Sequence, residues 1–107
     1  MATPEGKVKK QVKEVLKSLG AYYVMPVTGG YGNSGAPDFL VCYKGLFIGL
    51  ECKAGRNTVT ALQLHNLNSI KNANGVGLVV NEENVGVLQS ILVNLTQGDS
   101  HETQTNR

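Results

Sequence analysis

Asp38, Glu51 and Lys53 are spaced so that two carboxylates and one ammonium group can meet at a single point. The run from Gly35 to Tyr43 and the run from Leu46 to Lys53 are both rich in strand-forming residues, and Lys44-Gly45 between them is a turn signal. If Tyr43 and Leu46 close that turn, Asp38 lies directly opposite Glu51. Directly opposite side chains in a hairpin are roughly 5 Å apart, where like charges repel unless something neutralises them. A divalent cation would do so. Lys53 is two residues beyond Glu51, so strand alternation brings its ammonium out on the same face. The other face of the same run, Leu46, Ile48, Leu50 and Cys52, reads as core. The plain alternative is a Glu and a Lys exposed at a strand end, with Asp38 another surface charge. A β-bulge near Gly45 or Gly49 would also shift the register.

The elements that must position these residues follow from caps and periodicity. Thr3 as N-cap, Pro4 at the first position and Gly20 as stop delimit a first helix. Val8, Val12, Leu16 and Leu19 form its inward stripe. At about 100° per residue Glu5 falls within this stripe, while Glu14 sits in solvent among Lys7, Lys10, Lys13 and Lys17. An acid in the first turn is also favoured by the helix dipole, which accounts for Glu5 without any site. Ala21 to Val27 reads as a strand. The glycine-rich stretch from Thr28 to Ala36 leads into Pro37-Asp38, but no Gly-Lys-Ser/Thr follows, so it is not a nucleotide-binding P-loop.

Beyond Lys53, Thr60-Ala-Leu-Gln63 matches a capping box that opens a second helix, with Leu64, Leu67 and Ile70 expected inward and Gly75 at its end. The box explains Gln63 in full, although a helix start beside the site also suits contact with substrate. Val76 to Val80 reads as a last strand and Glu82 to Leu95 as a third helix, with Val85, Leu88, Ile91, Leu92 and Leu95 inward. Residues 96–107 are polar and unpatterned, the composition of a disordered tail.

The length suits one small domain, residues 1–95, with a single core. No stretch is apolar enough to cross a bilayer and no signal-peptide pattern opens the chain, which points to a soluble, intracellular protein without a membrane partner. Cys42 and Cys52 lie in the two arms of the hairpin, outside any zinc-type cluster, and read as buried thiols. His65 and His101 fit no ligand pattern. Residues 1–56 hold eight of the ten Lys and Arg residues, against four of the eight Asp and Glu. A polyanionic partner fits this asymmetry, because its phosphates would have to approach two carboxylates.

The order helix, three strands with Pro-Asp and Glu-x-Lys on the second and third, helix, strand resembles the PD-(D/E)xK nuclease superfamily. Within it, Gly35-Ala36-Pro37-Asp38-Phe39, then Leu50-Glu51-Cys52-Lys53-Ala54, then Thr60 and Gln63 are similar to the VRR-NUC family, over roughly residues 5 to 80. That family occurs as small stand-alone phage proteins and as domains of larger repair nucleases. The resemblance implies an α/β, restriction-endonuclease-like αβββαβ core with a central mixed sheet flanked by helices. It makes Asp38 and Glu51 metal ligands, with the Cys52 backbone carbonyl as a third, and Lys53 the catalytic lysine. Gln63 matches the family's glutamine, and Glu5, on a looser alignment, the acid of the first helix.

The activity so implied is phosphodiester hydrolysis in DNA with Mg²⁺ or Mn²⁺, the ions that hard oxygen ligands select. Stand-alone members resemble Holliday junction resolvases of DNA repair and recombination, which implies branched DNA as substrate and a homodimer. If the chain is phage-encoded, it would work in the cytoplasm of the host cell. Two other readings compete within the fold: a flap or site-specific endonuclease of restriction or homing type, and a catalytically silent DNA-binding protein. A third, a protein that does not bind nucleic acid and in which Asp38 and Glu51 are surface charges, predicts no divalent-ion binding and thermal stability insensitive to Asp38→Ala.

Overall fold

In a computed structural model of the chain, residues 3–27 and 35–106 are described, residues 98–106 by their backbone alone. Helix α1 (Pro4–Leu19) starts where the sequence places it: the Thr3 hydroxyl accepts the Gly6 N–H at 3.0 Å, and Gly20 ends it in the left-handed region. The strands are β1 (Tyr22–Val24), β2 (Phe39–Tyr43), β3 (Leu46–Cys52) and β4 (Val76–Val80); α2 (Ala61–Asn72) lies between β3 and β4, and α3 (Leu88–Asn106) follows. They form one sheet in the order β1-β2-β3-β4, antiparallel except for β3 and β4. Parallel neighbours require a crossover, and α2 provides it. The result is the expected αβββαβ arrangement, a mixed sheet with helices on its faces.

The β2–β3 register is the one read from the sequence. Tyr43 pairs with Leu46 and Phe39 with Leu50. Lys44 at φ 54° and Gly45 at φ 81° form the two-residue turn between them, the conformation a tight hairpin requires. No bulge interrupts the pairing.

On one face of the sheet Phe39, Val41, Ile48, Leu50, Cys52 and Val80 pack with Val8, Val12 and Leu16 of α1 and Leu88 and Leu92 of α3. On the other face α2 lies close against glycines: a Cβ on Gly49 would come within 2.5 Å of Ile70 Cδ1, and one on Gly77 within 3.0 Å of the Leu67 carbonyl oxygen. A side chain at Gly49 would force the Ile70 side chain to move, and one at Gly77 would press on the α2 backbone at Leu67.

Several expected features are corrected. Strand β1 is shorter than Ala21–Val27, because Pro26 has no N–H to donate and its would-be partner Asp38 lies outside β2. In α2 the inward stripe is Gln63, Asn66, Leu67 and Ile70, while Leu64 is exposed. The spacing i, i+3, i+4, i+7 makes one face, and with Leu67 and Ile70 on the sheet Leu64 turns outward. Residues 82–87 are not the start of α3. Asn81 Oδ1 accepts the N–H groups of Glu83 and Asn84, and Asn84 Oδ1 accepts that of Asn81, which folds the segment into a turn followed by a short 3₁₀ helix, Val85–Val87. The backbone of α3 then continues through Asn106, across residues that carry no periodic pattern. Cys42 is an exposed thiol rather than a buried one: it lies on the α2-side face, where α2 packs mainly against β3 and β4. The glycine-rich stretch from 28 to 34 lies outside the described residues.

Candidate active site

Asp38 stands one residue before β2, just beyond the last ladder pair. Its Oδ2 accepts the Cys52 backbone N–H at 2.8 Å, so β3 itself fixes the carboxylate at the end of the sheet. Glu51, the next-to-last residue of β3, is 2% exposed, which removes the reading of a charge at a solvated strand end. Lys53 follows β3, and its N–H bonds to the Val80 carbonyl at 2.9 Å, extending the parallel pairing with β4 by one residue. This orders the lysine stem and holds Nζ 3.8 Å from Glu51 Oε2. Glu51 thus has Asp38 and Lys53 as its charged neighbours.

The electrostatics of Glu51 are unusual for a stable fold. Burial first, and then the Asp38 charge beside it, push its carboxyl up to about 7, although Lys53 pulls the other way. Glu51 Oε1 is buried without a hydrogen-bond partner. An ionised carboxylate oxygen with nothing to bond costs several kcal/mol of lost hydration unless it is neutralised or coordinated. Burial, with Asp38 and Glu51 adding, also pushes the Cys52 thiol up to about 12. The Cys52 side chain belongs to the apolar core, so its backbone carbonyl is the candidate ligand.

The other expected site residues divide. Glu5 lies on the inward side of α1, close enough for its charge to bear on Glu51, and is 3.8 Å from Lys9. Gln63 Oε1 accepts the Thr60 N–H at 2.9 Å while Thr60 Oγ1 accepts that of Gln63 at 3.1 Å, so the capping box is formed. His65 is exposed on α2. Sequence reasoning missed Lys9, whose Nζ is 3.5 Å from Asp38 Oδ1. The signal was present: Lys9 is four residues after Glu5, the spacing that sets two side chains side by side on a helix.

Among the described residues no group of three or more His, Cys, Asp or Glu side chains could enclose a metal ion. Two carboxylates and a backbone carbonyl nevertheless fit a hard cation such as Mg²⁺, which keeps several of its waters, and the unpartnered Glu51 Oε1 is the kind of atom such an ion would engage.

An acidic pair and a lysine at the end of a mixed αβββαβ sheet define a restriction-endonuclease-like protein. No protein-family profile matches the chain, and no curated protein does either. Among solved structures, four chains match. One is described as a VRR_NUC domain, with 30% sequence identity and a TM-score of 0.67, and the match covers 81% of this chain and 95% of that one. The chain belongs to the VRR-NUC family, and that membership supports a nuclease function in general.

Proposed function

We propose that the protein is a metal-dependent DNA endonuclease that hydrolyses phosphodiester bonds with Mg²⁺ or Mn²⁺, selective for branched DNA such as four-way junctions. The observation that carries this reading is Glu51: a buried carboxylate with an unpartnered oxygen, set beside Asp38 and 3.8 Å from the Lys53 ammonium. A silent DNA-binding domain gains nothing from such an arrangement and loses stability by it.

Asp38 and Glu51 would hold the ion, with the Cys52 carbonyl as a further ligand. When bound, it would polarise the scissile phosphate and lower the pKa of the attacking water. Lys53 Nζ stabilises the negative charge that develops on the phosphoryl oxygens and orients the water. The burial that raises Glu51 also strengthens these interactions by excluding bulk water. Attack on phosphorus breaks one P–O ester bond, leaving a phosphate monoester on one strand end and a hydroxyl on the other. Glu5, whose charge bears on Glu51, would add to the acidic surroundings of the ion, and the Gln63 amide would contact substrate from the start of α2.

Recognition of DNA by shape rather than by sequence is favoured by the charge on α1. On α1, Lys7, Lys10 and Lys17 are exposed and Lys13 half-exposed, a basic surface suited to backbone phosphates of any sequence. A homodimer is part of the proposal. Tyr22, Cys42 and Phe47 are neighbours across β1, β2 and β3, with Val24 in the next row, and all four are exposed, an apolar strip that a second copy would cover. Among the described residues no helix is long and apolar enough to cross a membrane.

The test is cleavage of labelled four-way junction, flap, single strand and linear duplex with Mg²⁺, Mn²⁺ or EDTA, wild type beside Lys53→Ala. Metal-dependent junction cutting that the substitution removes is the expected result. Folded protein that binds DNA and cuts nothing would leave the silent-binder reading standing instead.

A further inference from the structure

The two carboxylates at the centre of the site are neutralised unequally. Lys53 approaches Glu51 at Oε2 and leaves Oε1 without a partner. At Asp38, both oxygens are engaged: Oδ2 accepts the Cys52 N–H at 2.8 Å, and Oδ1 is 3.5 Å from Lys9 Nζ. The backbone bond is fixed by the strand, so Oδ1 is the Asp38 oxygen left for an added cation, and Lys9 covers it. The Lys9 ammonium is also 3.8 Å from Glu5 Oε2, which brings a third acid under the same charge.

We propose that Lys9 is an internal counter-ion of the cation-free site, competing with the divalent cation for Asp38 Oδ1 and leaving that atom when the ion binds. The inference rests on the metal-site reading above. An ammonium and a divalent cation on one carboxylate oxygen repel each other, so loading the site weakens the Lys9–Asp38 pair and keeping that pair weakens metal binding. Displacement needs no rearrangement of the fold. The Lys9 side chain is 34% exposed, and four flexible carbons let its head swing into solvent. Without Lys9, the cation-free protein would hold Glu5, Asp38 and Glu51 against one another with Lys53 alone to offset them. Lys9 is therefore a positioning residue: it keeps the empty site folded and sets the concentration at which it fills.

The experiment is calorimetric titration of Mn²⁺ alone, without DNA and at mildly alkaline pH, into wild type, Lys9→Met, Lys9→Arg and Lys71→Met, with thermal melts of each protein with and without Mn²⁺. Lys71 is an exposed lysine in the last turn of α2, at the other end of the sheet, and controls for the loss of one positive charge. Lys9→Met should bind Mn²⁺ roughly five- to tenfold more tightly, the size of a part-exposed ion pair together with relief of like-charge repulsion. It should also melt lower than wild type without metal and gain more on adding it. Lys9→Arg and Lys71→Met should stay close to wild type. If Lys9→Met fails to fold, Lys9→Gln makes the same comparison. Wild-type affinity or weaker binding in the neutral variant overturns the counter-ion role while leaving the metal site intact. Folded wild type that binds no Mn²⁺ overturns both.

Discussion

The two faces of β3 are built to different ends. On one, Ile48, Leu50 and Cys52 are fully buried against α1 and α3, every side chain apolar. On the other, Gly49 admits α2 at close range, and Glu51 follows it, as deeply buried and with one oxygen unpartnered. The first face lowers the free energy of the fold with each residue. The second gives some of that back, and a strand of seven residues carries both. Burial serves stability on one side and chemistry on the other, because a charge on Glu51 that water cannot reach must be met by a ligand.

Substitutions on the two faces should therefore move different observables. Glu51→Gln should abolish metal-dependent cleavage, and Lys53→Ala should lower it about 10²- to 10³-fold, the loss typical of one stabilising donor. Both should leave the fold intact by circular dichroism. Leu50→Ala should do the reverse and destabilise the protein by about 2–5 kcal/mol in urea unfolding, through lost burial and the cavity left behind. If Leu50→Ala leaves stability unchanged while Glu51→Gln unfolds the chain, the contrast between the faces is wrong.

The pH dependence of metal-free stability sharpens the contrast. The Glu51 carboxyl is raised from its ordinary 4.5 to about 7, so the folded state holds this proton more tightly than the unfolded chain. The stability it contributes is complete below about 4.5 and is lost as pH rises through about 7. Urea midpoints of wild type minus those of Glu51→Gln should fall across that window, and saturating Mn²⁺ should flatten or reverse the fall. A difference that stays constant with pH would mean that Glu51 is solvated in the folded protein.

Local rules made much of this legible. The Lys44-Gly45 turn fixed the hairpin register, and with it the meeting of Asp38, Glu51 and Lys53; Thr3, Pro4 and Gly20 bounded α1. Where tertiary contacts decide, the reading failed. Leu64 looks inward by composition, but close packing of α2 on Gly49 and Gly77 rotates it out. Cys42 looks buried by strand position, but α2 packs mainly on β3 and β4 and leaves it exposed. The charge of Lys9 is obvious, whereas its contact with Asp38 depends on how α1 lies against the end of the sheet.

Gln63 offers the smallest effect and the finest discrimination. Its Oε1 closes the capping box with Thr60, so loss of either side chain should cost the helix about as much as a typical N-cap, roughly 1 kcal/mol. If capping is its whole contribution, Thr60→Ala and Gln63→Ala should destabilise α2 alike and cleave alike. If the Gln63 amide also touches the substrate at the edge of the site, Gln63→Ala should lose cleavage beyond anything Thr60→Ala shows at matched stability. Thermal melts measured beside single-turnover rates for the two variants separate these outcomes. They also bear on the contrast between the faces: a helix start that reports on chemistry would extend the functional face of β3 across to α2, whereas one that reports on stability alone would end it at Lys53.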